Sequence, residues 1–562
     1  MRARLGALAL YGAVAVVLTW PLCLHLTTQV LDDGTLDAFQ FVWNLWWTRR
    51  ALLDLHTSPF TTHSLFFPDG VNLFWHTLSF TTGLLSSPFR LLGDDMRAAV
   101  AAENGMAVFA TVATATLGAL LAREVCGHGG AAALAGLLLV AHPFHVRQLH
   151  TANVASLYWL LAALLGWSRL HGRRSLSTVA VLVLVVVALF FAHHEYVLMA
   201  VALLGYDLVY RLLRGGREGE PAWPGGALAS LVLSLGAVAA SVAFLGGSPP
   251  ERPPFHVVVW NSADLTGLAT PPWLRAAPAQ FLGALYLGSA PLVLGVVAQV
   301  IAARQATRWN VAGLLCLLAA LGPVLRLGPP TVEFLRASEH AAPDQLGWPL
   351  PYRLAYELIP GVATGRSPWR WVGAAHVCLA MAAACGMAGL AQRLARAGVW
   401  GTRLTVAGGM LVAGVSLAEA LPHRLDLTRA TAPSGYEVVR ADTGGGAVLD
   451  LPSGLRRLTL GLYSSLYMAY QTEHRHPLVE GTVARLPATQ RYVFQRRDFR
   501  LVEHPEIAYV VLHRPLFRRV YPVAPSIRLA REARREGELV FRDAELRVYR
   551  LRSSPPFSPA AR

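Results

Sequence analysis

Long apolar runs dominate the chain and end near residue 420. A helix needs about 20 mostly apolar residues to cross the hydrocarbon of a bilayer. About eleven segments approach that length: 5–22, 97–121, 130–144, 153–170, 176–193, 195–212, 227–246, 282–302, 310–327, 371–392 and 403–420. The segment 72–92 is apolar too, but Pro88 and its polar residues predict a re-entrant or interfacial piece. Beyond about residue 430 the pattern changes. Gly446–Pro452 and Ile507–His513 read as buried strands, Glu538–Leu551 as a hairpin turning at Arg542–Glu545, and Ser526–Glu536 as a helix with Ser526 as its N-cap. The pattern therefore predicts an all-α polytopic bundle of about eleven transmembrane helices over 1–420. A small soluble α/β domain over 421–562 follows it.

The polar positions orient this bundle. With the N-terminus in the cytoplasm, every cytoplasmic loop is short and basic: Arg123; Arg169, Arg173 and Arg174; Arg211, Arg214 and Arg217; Arg304 and Arg308; Arg393, Arg396 and Arg403. The same choice places the long loops 23–96, 247–281 and 328–370, and the C-terminal domain, on the outer side. Leu5–Trp20 follows two arginines but lacks a small-residue cleavage site, so a retained first helix is expected. Leu36–Leu55 carries Phe39, Phe41, Trp43, Trp46 and Trp47, which predicts a helix lying in the membrane interface.

Composition agrees with a lipid-embedded chain. The 562 residues are 54% hydrophobic and 15% charged. A soluble domain carries about 25% charged residues. All 49 basic residues are arginine, and the net charge is +15. Much of that arginine sits in topology-setting loops, so nucleic acid is not an expected partner. The five cysteines are dispersed and predict neither a disulfide framework nor a metal site. No Walker, G-x-S-x-G, H-E-x-x-H or dinucleotide motif is present.

Several polar clusters fall at the outer ends of the apolar segments. Asp32, Asp33 and Asp37 follow the first helix; a helix starting near Asp33 puts Asp33 and Asp37 on one face. Such carboxylates can act as a general base or hold a divalent ion, and Asp32-Asp33-Gly34 is equally ordinary turn chemistry. His142, His145, Arg147 and His150 form a second cluster. It suits substrate hydrogen bonding, or simply a polar interfacial loop. His193, His194 and Glu195 lie between two apolar segments with almost no loop, where ionisable groups are costly unless they serve a site or a wet hairpin. Arg366 and Arg370 flank Pro368 at a predicted helix start, a natural phosphate site or a pair of interfacial anchors. Gln471–Pro477 is the densest polar cluster of the C-terminal region.

Three stretches resemble the multi-pass membrane glycosyltransferases of the GT-C superfamily found in bacteria. They are Asp33–Trp47 followed by Leu65–Asn72; Leu321–Gly328 followed by Leu350–Gly361 and Arg366–Arg370; and Val448–Pro452 followed by Gln471–Pro477. The resemblance implies a GT-C-like bundle, a first outer loop carrying a catalytic Asp, and a polyprenyl-phosphate-linked sugar donor. On this chain the acid maps to Asp33 or Asp37. Arg366, Arg370 and Arg353 would stabilise the departing phosphate. His145, His150, His194 and Glu195 would line the pocket, and Asp69 and Asn72 would contact sugar hydroxyls. The acceptor would be a glycan, a lipid or a protein, and the setting the outer face of a bacterial inner membrane. No cofactor is required, although a divalent metal is compatible. A lipid or polysaccharide transporter or flippase is the chief rival. Its expected mid-helix charges and paired broken helices are missing from the pattern. A non-enzymatic envelope assembly protein leaves the outer-level clusters unexplained.

Overall fold

The computed structural model describes residues 2–218, 223–247, 251–271, 274, 285–329, 331–453, 458–484, 499–519 and 524–551. The helices that matter below are α1 (Arg2–Thr19), α2 (Asp37–Leu53), α3 (Met96–Cys126), α4 (Gly129–Val140), α5 (Leu157–Arg173), α6 (Leu176–Ala192), α7 (His194–Glu218), α8 (Pro224–Leu245), α9 (Ser289–Ile301), α10 (Ala303–Ala320), α11 (Trp371–Ala395) and α12 (Gly398–Ala420). All but α2 overlap the apolar segments. The start of the eighth segment, 282–284, lies outside the described residues. By length and composition, five helices among the described residues can cross a membrane: those at Met96–Cys126, His194–Arg214, Pro224–Leu245, Pro368–Ala395 and Gly398–His423. Four shorter apolar helices accompany them. The protein is a mostly helical membrane protein.

Burial separates the centre of the bundle from its rim. The span containing α11 is 89% buried, against 11% for α8 and 17% for that containing α12. Helix α11 is built from small residues, among them Ala374, Ala375, Cys378, Ala382 and Gly386. Small residues let neighbouring backbones approach where lipid offers no hydrophobic drive for association. A Cβ on Gly386 would stand 2.7 Å from the Leu294 carbonyl oxygen. The rim helices instead turn Leu228, Leu233, Leu404 and Leu411 outward, a face suited to acyl chains.

Helix α2 does not lie on the bilayer surface. Trp43, Trp46 and Trp47 are at most 3% exposed, and thirteen of its residues are buried. Two layers cover it: the bundle on one side and α14 (Leu458–His474) on the other. The Trp43 indole donates to Gln471 Oε1 at 2.6 Å and its ring stacks on Trp47 at 5.7 Å. The tryptophans are thus a protein-internal seam, and the aromatic density that suggested an interfacial helix reflects packing from both sides. The segment 72–92 forms two short turns, Phe80–Leu85 and Ser87–Leu92. The Thr81 hydroxyl donates to the carbonyl of Ala188, inside α6.

In the C-terminal region, β5 (Ala447–Leu451), β6 (Ile507–His513), β7 (Gly537–Arg542) and β8 (Leu546–Leu551) form a four-stranded sheet ordered β5-β6-β8-β7. The β5–β6 pair is parallel and the rest antiparallel. Helix α15 (Ala524–Glu536) packs on one face through Leu529 and Ala533. Ser526 lies inside this helix rather than capping it, and its hydroxyl donates to the Ser453 carbonyl at 3.0 Å. The other face continues the core of the bundle through Tyr436 of α13 (Gly435–Ala441), Val448, Tyr467 and Met468. Two ladders add to this attachment. Strand β1 (Gln29–Asp32) pairs with β4 (Asp426–Arg429), and Leu478 exchanges backbone hydrogen bonds with Ser64 and Phe67.

The seam at Trp43 makes a direct prediction. Trp43→Ala removes a fully buried indole and is expected to cost about 3–5 kcal/mol. Gln471→Ala leaves the indole N–H unpaired and costs about 1–3 kcal/mol. Thermal unfolding in detergent should rank the two in that order, and a Trp43→Ala protein as stable as wild type would refute the two-sided packing.

Candidate functional site

The site is assembled around the turn between β1 and α2. Asp32 closes this turn by accepting from the backbone N–H groups of Gly34 (3.2 Å) and Leu36 (3.1 Å). Leu36 adopts a left-handed conformation (φ 62°), and Asp37 begins α2 directly after it. Asp33 accepts from the backbone N–H and hydroxyl of Thr35. Its carboxylate also faces Arg147 Nη2 at 3.4 Å and His150 Nε2 at 3.5 Å. The other ring nitrogen of His150 lies 2.9 Å from the Arg147 carbonyl oxygen, which aims Nε2 at Asp33.

The two neighbouring acids are driven in opposite directions. Burial opposes ionisation of Asp33, but His150, Thr35 and Arg147 outweigh it and hold its carboxyl below the usual range. For Asp37 burial wins: helped by the charge of Asp33, and opposed by His150, Arg366 and Arg370, it pushes the carboxyl above that range. Asp32 is raised too, by burial and by Asp33. Asp33 is thereby favoured as an anion, whereas Asp37 holds a proton more readily than an ordinary aspartate.

The arginines come from far along the chain. Pro368–Arg370 forms a single 3-10 turn leading into α11. Arg370 pairs with Glu195, the second residue of α7, at 3.1 Å. The fields of Arg366 and Arg370 both reach Asp37. Tyr352 feels the charge of Glu195, and a Cβ on Gly365 would stand 4.0 Å from both Glu195 Oε1 and the Tyr352 hydroxyl. Residues 33–37, 147–150, 195, 352 and 366–370, five stretches of the chain, thus act on one another through salt bridges and fields.

Other candidate residues have different surroundings. His142 stacks on His376 at 3.5 Å, and His145 Nε2 lies 3.1 Å from the Thr111 hydroxyl, so both serve the bundle core. His193 accepts from the Tyr196 backbone N–H at 3.2 Å. His194 packs among Phe74, Trp75 and Phe190. Arg353 pairs with Glu357 at 3.0 Å, one turn along its own helix. Asp69 and Asn72 belong to the hairpin of β2 (Thr61–Thr62) and β3 (Val71–Asn72), where the Asn72 amide donates to the Leu245 carbonyl at 3.3 Å. Among the described residues no group of three His, Cys, Asp or Glu side chains is arranged to hold a metal ion. Two contributors were not singled out from the sequence. Tyr352 stands in the stretch 350–361, one helical turn before Tyr356, but carried no assigned role. His76 links Asn44 Oδ1 (3.1 Å) to the Ala484 backbone N–H (3.0 Å), and burial with the field of Arg366 lowers its pKa to about 3.

Fold and burial together define a mostly helical membrane protein. The oligosaccharyltransferase of Archaeoglobus fulgidus, solved tethered to an acceptor peptide containing the NVT sequon, superposes with a TM-score of 0.50 at 12% identity, over 97% of this chain and 74% of that one. The archaeal oligosaccharyltransferase AglB from Archaeoglobus fulgidus, in complex with an inhibitory peptide and a dolichol-phosphate, gives 0.47 at 12% identity, over 95% of this chain and 72% of that one. At such identity the likeness is one of fold alone. No curated protein matches the sequence. The family model described as "Domain of unknown function (DUF6311)" matches residues 8–336, more than half of the chain, and the protein belongs to that family.

The opposed acids predict opposed effects on stability. A carboxyl held below its unfolded value adds stability above that value and loses it as pH falls through the folded one; a raised carboxyl does the reverse. At pH 7, Asp33→Asn should therefore lower the melting temperature and Asp37→Asn should raise it or leave it unchanged. Thermal unfolding that gives the reverse order would remove the assignment of Asp33 as the fixed anion.

Proposed function

We propose that the protein is a glycosyltransferase that moves a sugar from a polyprenyl-phosphate-linked donor to an acceptor hydroxyl on the outer face of a bacterial inner membrane. In this reading eleven helices span the bilayer, the N-terminus is cytoplasmic and residues 421–562 form an extracytoplasmic domain. The observation that carries the proposal is a carboxyl disposed to accept a proton, Asp37, within the field of two arginines, Arg366 and Arg370. The GT-C-like bundle supports it.

The acceptor oxygen attacks the anomeric carbon while Asp37 removes its proton. The bond from that carbon to the phosphate oxygen breaks, and the electron pair leaves with the polyprenyl phosphate. Arg366 and Arg370 face the charge that develops there, and Arg370 enters from a helix N-terminus that also favours an anion. Glu195 holds Arg370 in place, and Asp33, fixed by Arg147 and His150, keeps Asp37 basic by repulsion. An aliphatic polyprenyl chain would lie along the lipid-facing helices. A glycan, lipid or protein acceptor would enter from the side of the C-terminal sheet.

Release of polyprenyl phosphate from radiolabelled donors in nanodiscs tests this. Asp37→Asn should lower turnover about 10²–10⁴-fold. Arg370→Gln should lower it about 10²–10³-fold. The acid limb of the pH–rate profile should lie above the ordinary aspartate range, and in Asp33→Asn it should move to lower pH, because the repulsion that raises Asp37 is gone. Full turnover by Asp37→Asn, or an acid limb that does not move, would reject Asp37 as the base.

A further inference from the structure

The C-terminal end of α2 gathers more positive charge than the residues around it balance. Arg49 is only 4% exposed, yet none of its three guanidinium nitrogens has a hydrogen-bond partner. It feels the charges of Asp94, Arg90 and Asp54. Arg50 follows it, with its guanidinium 5.3 Å from the centre of the Trp46 ring. Arg90, in the turn Ser87–Leu92, pairs with Asp54. Arg475, just past α14, meets Asp94 at 3.1 Å, and Arg50 reaches the same carboxylate at 3.8 Å. Four guanidinium groups thus share two carboxylates. The next acids along the chain are engaged elsewhere: Glu473 pairs with Arg440 at 2.6 Å, and Asp95 caps α3.

The end of a helix supplies about half a negative charge, which offsets only part of this excess. A buried guanidinium without a partner is costly, and an anion from outside the chain would offset that cost. The neighbouring surface says what carries the anion. Phe89 plugs the turn Ser87–Leu92 into the bundle against Leu45, Ala102 and Met106. The residues after it face the other way: Leu91 is 91% and Leu92 64% exposed. Bare leucines beside arginines suit a membrane interface, where apolar side chains enter the acyl layer and cations meet anionic headgroups. Arg90 is itself exposed. A guanidinium carries five N–H donors, and Asp54 takes Nη2 of Arg90 alone, so an oxyanion can share this side chain. A zwitterionic headgroup would bring a cation that the other arginines repel.

We propose that the C-terminal end of α2 binds the phosphate headgroup of an anionic membrane lipid, contacted by Arg90 and drawn by the charges of Arg49, Arg50 and Arg475, with Leu91 and Leu92 in the acyl layer beside it. The site is separate from the one at Asp37. Arg49 stands twelve residues farther along α2, about 18 Å at about 1.5 Å per residue. A lipid there would secure the far end of the helix whose first residue is Asp37. The inference does not rest on the transferase reading, because its test reads binding.

Binding is measured on the full chain in detergent by native mass spectrometry, with dioleoyl phosphatidylglycerol as the probe. Dioleoyl phosphatidylcholine and glycerol 3-phosphate are the controls. Saturable binding of phosphatidylglycerol is expected, about tenfold tighter than that of phosphatidylcholine. Glycerol 3-phosphate, which has the anion without the acyl chains, should bind far more weakly than the lipid. Arg49→Met removes the buried charge, keeps an apolar stem and should weaken phosphatidylglycerol binding about fivefold. Arg90→Gln is a surface change that should weaken it by about the same factor, and it serves if Arg49→Met does not fold. Phosphatidylglycerol should also raise the melting temperature of the wild type more than that of either variant. The proposal is overturned by equal binding of phosphatidylcholine, by glycerol 3-phosphate binding as tightly as the lipid, by no saturable binding of phosphatidylglycerol, or by affinity unchanged in both variants.

Discussion

A helix enclosed by protein over most of its length is the constraint on which this architecture depends. Helix α2 carries three tryptophans, each with one polar N–H, and its apolar surface needs cover on every side. The bundle provides only part of that cover. The rest comes from α14, more than 400 residues away, and the Trp43–Gln471 hydrogen bond marks where the two meet. Removing the C-terminal region would therefore expose the helix that begins with Asp37. The sheet is a structural requirement of the site as well as an appendage to the bundle.

The same constraint explains the rigidity of the turn before α2. Its backbone N–H groups close on Asp32, and β1 is stitched to β4 immediately after the last bundle helix. Asp33 and Asp37 are then presented from a backbone with few alternatives. Four residues apart in sequence, they acquire opposite character because only one is paired. Asp33 meets Arg147 and His150 at salt-bridge distance; Asp37 receives the fields of Arg366 and Arg370 from farther off and pays more in desolvation. Such a divergence between neighbouring carboxyls is how one site holds both an anion and a base.

Sequence periodicity made the bundle legible, because a bilayer imposes length and apolarity on anything that crosses it. The runs at 97–121 and 371–392 became α3 and α11 with little change of boundary. The arginine pattern could not show that α11 is the centre and α8 the rim, since both read simply as long apolar runs. That distinction lies in side-chain size: α11 is rich in alanine and glycine, α8 in leucine and valine on its outward face. Trp43, Trp46 and Trp47 were legible as a special helix but misleading about its surroundings, because aromatic density is common to membrane interfaces and to seams between protein layers. Of the polar clusters, Asp33 meets Arg147 and His150, and Arg370 meets Glu195, at salt-bridge distance, while Arg366 and Arg370 act on Asp37 through their fields. His142 and His145 had the same local signature as His150 and went to the core instead. A one-turn difference along the chain decides which histidines face inward, and composition cannot register it.

Tyr352 and His76 show where reading from sequence stops. Each lies in a stretch read for other reasons, 350–361 and 72–92, and acts through a partner far along the chain, Glu195 for one and Ala484 for the other. His76 is informative in this respect. With one ring nitrogen accepting from a backbone N–H and the other beside the Asn44 amide oxygen, its neutral tautomer is fixed, with the proton on Nε2. A charged imidazolium there would repel Arg366, and the fold has already excluded it by burial. The positive field at Asp37 therefore comes from His150, Arg366 and Arg370, and His76, although it lies within reach of Arg366, adds nothing to it.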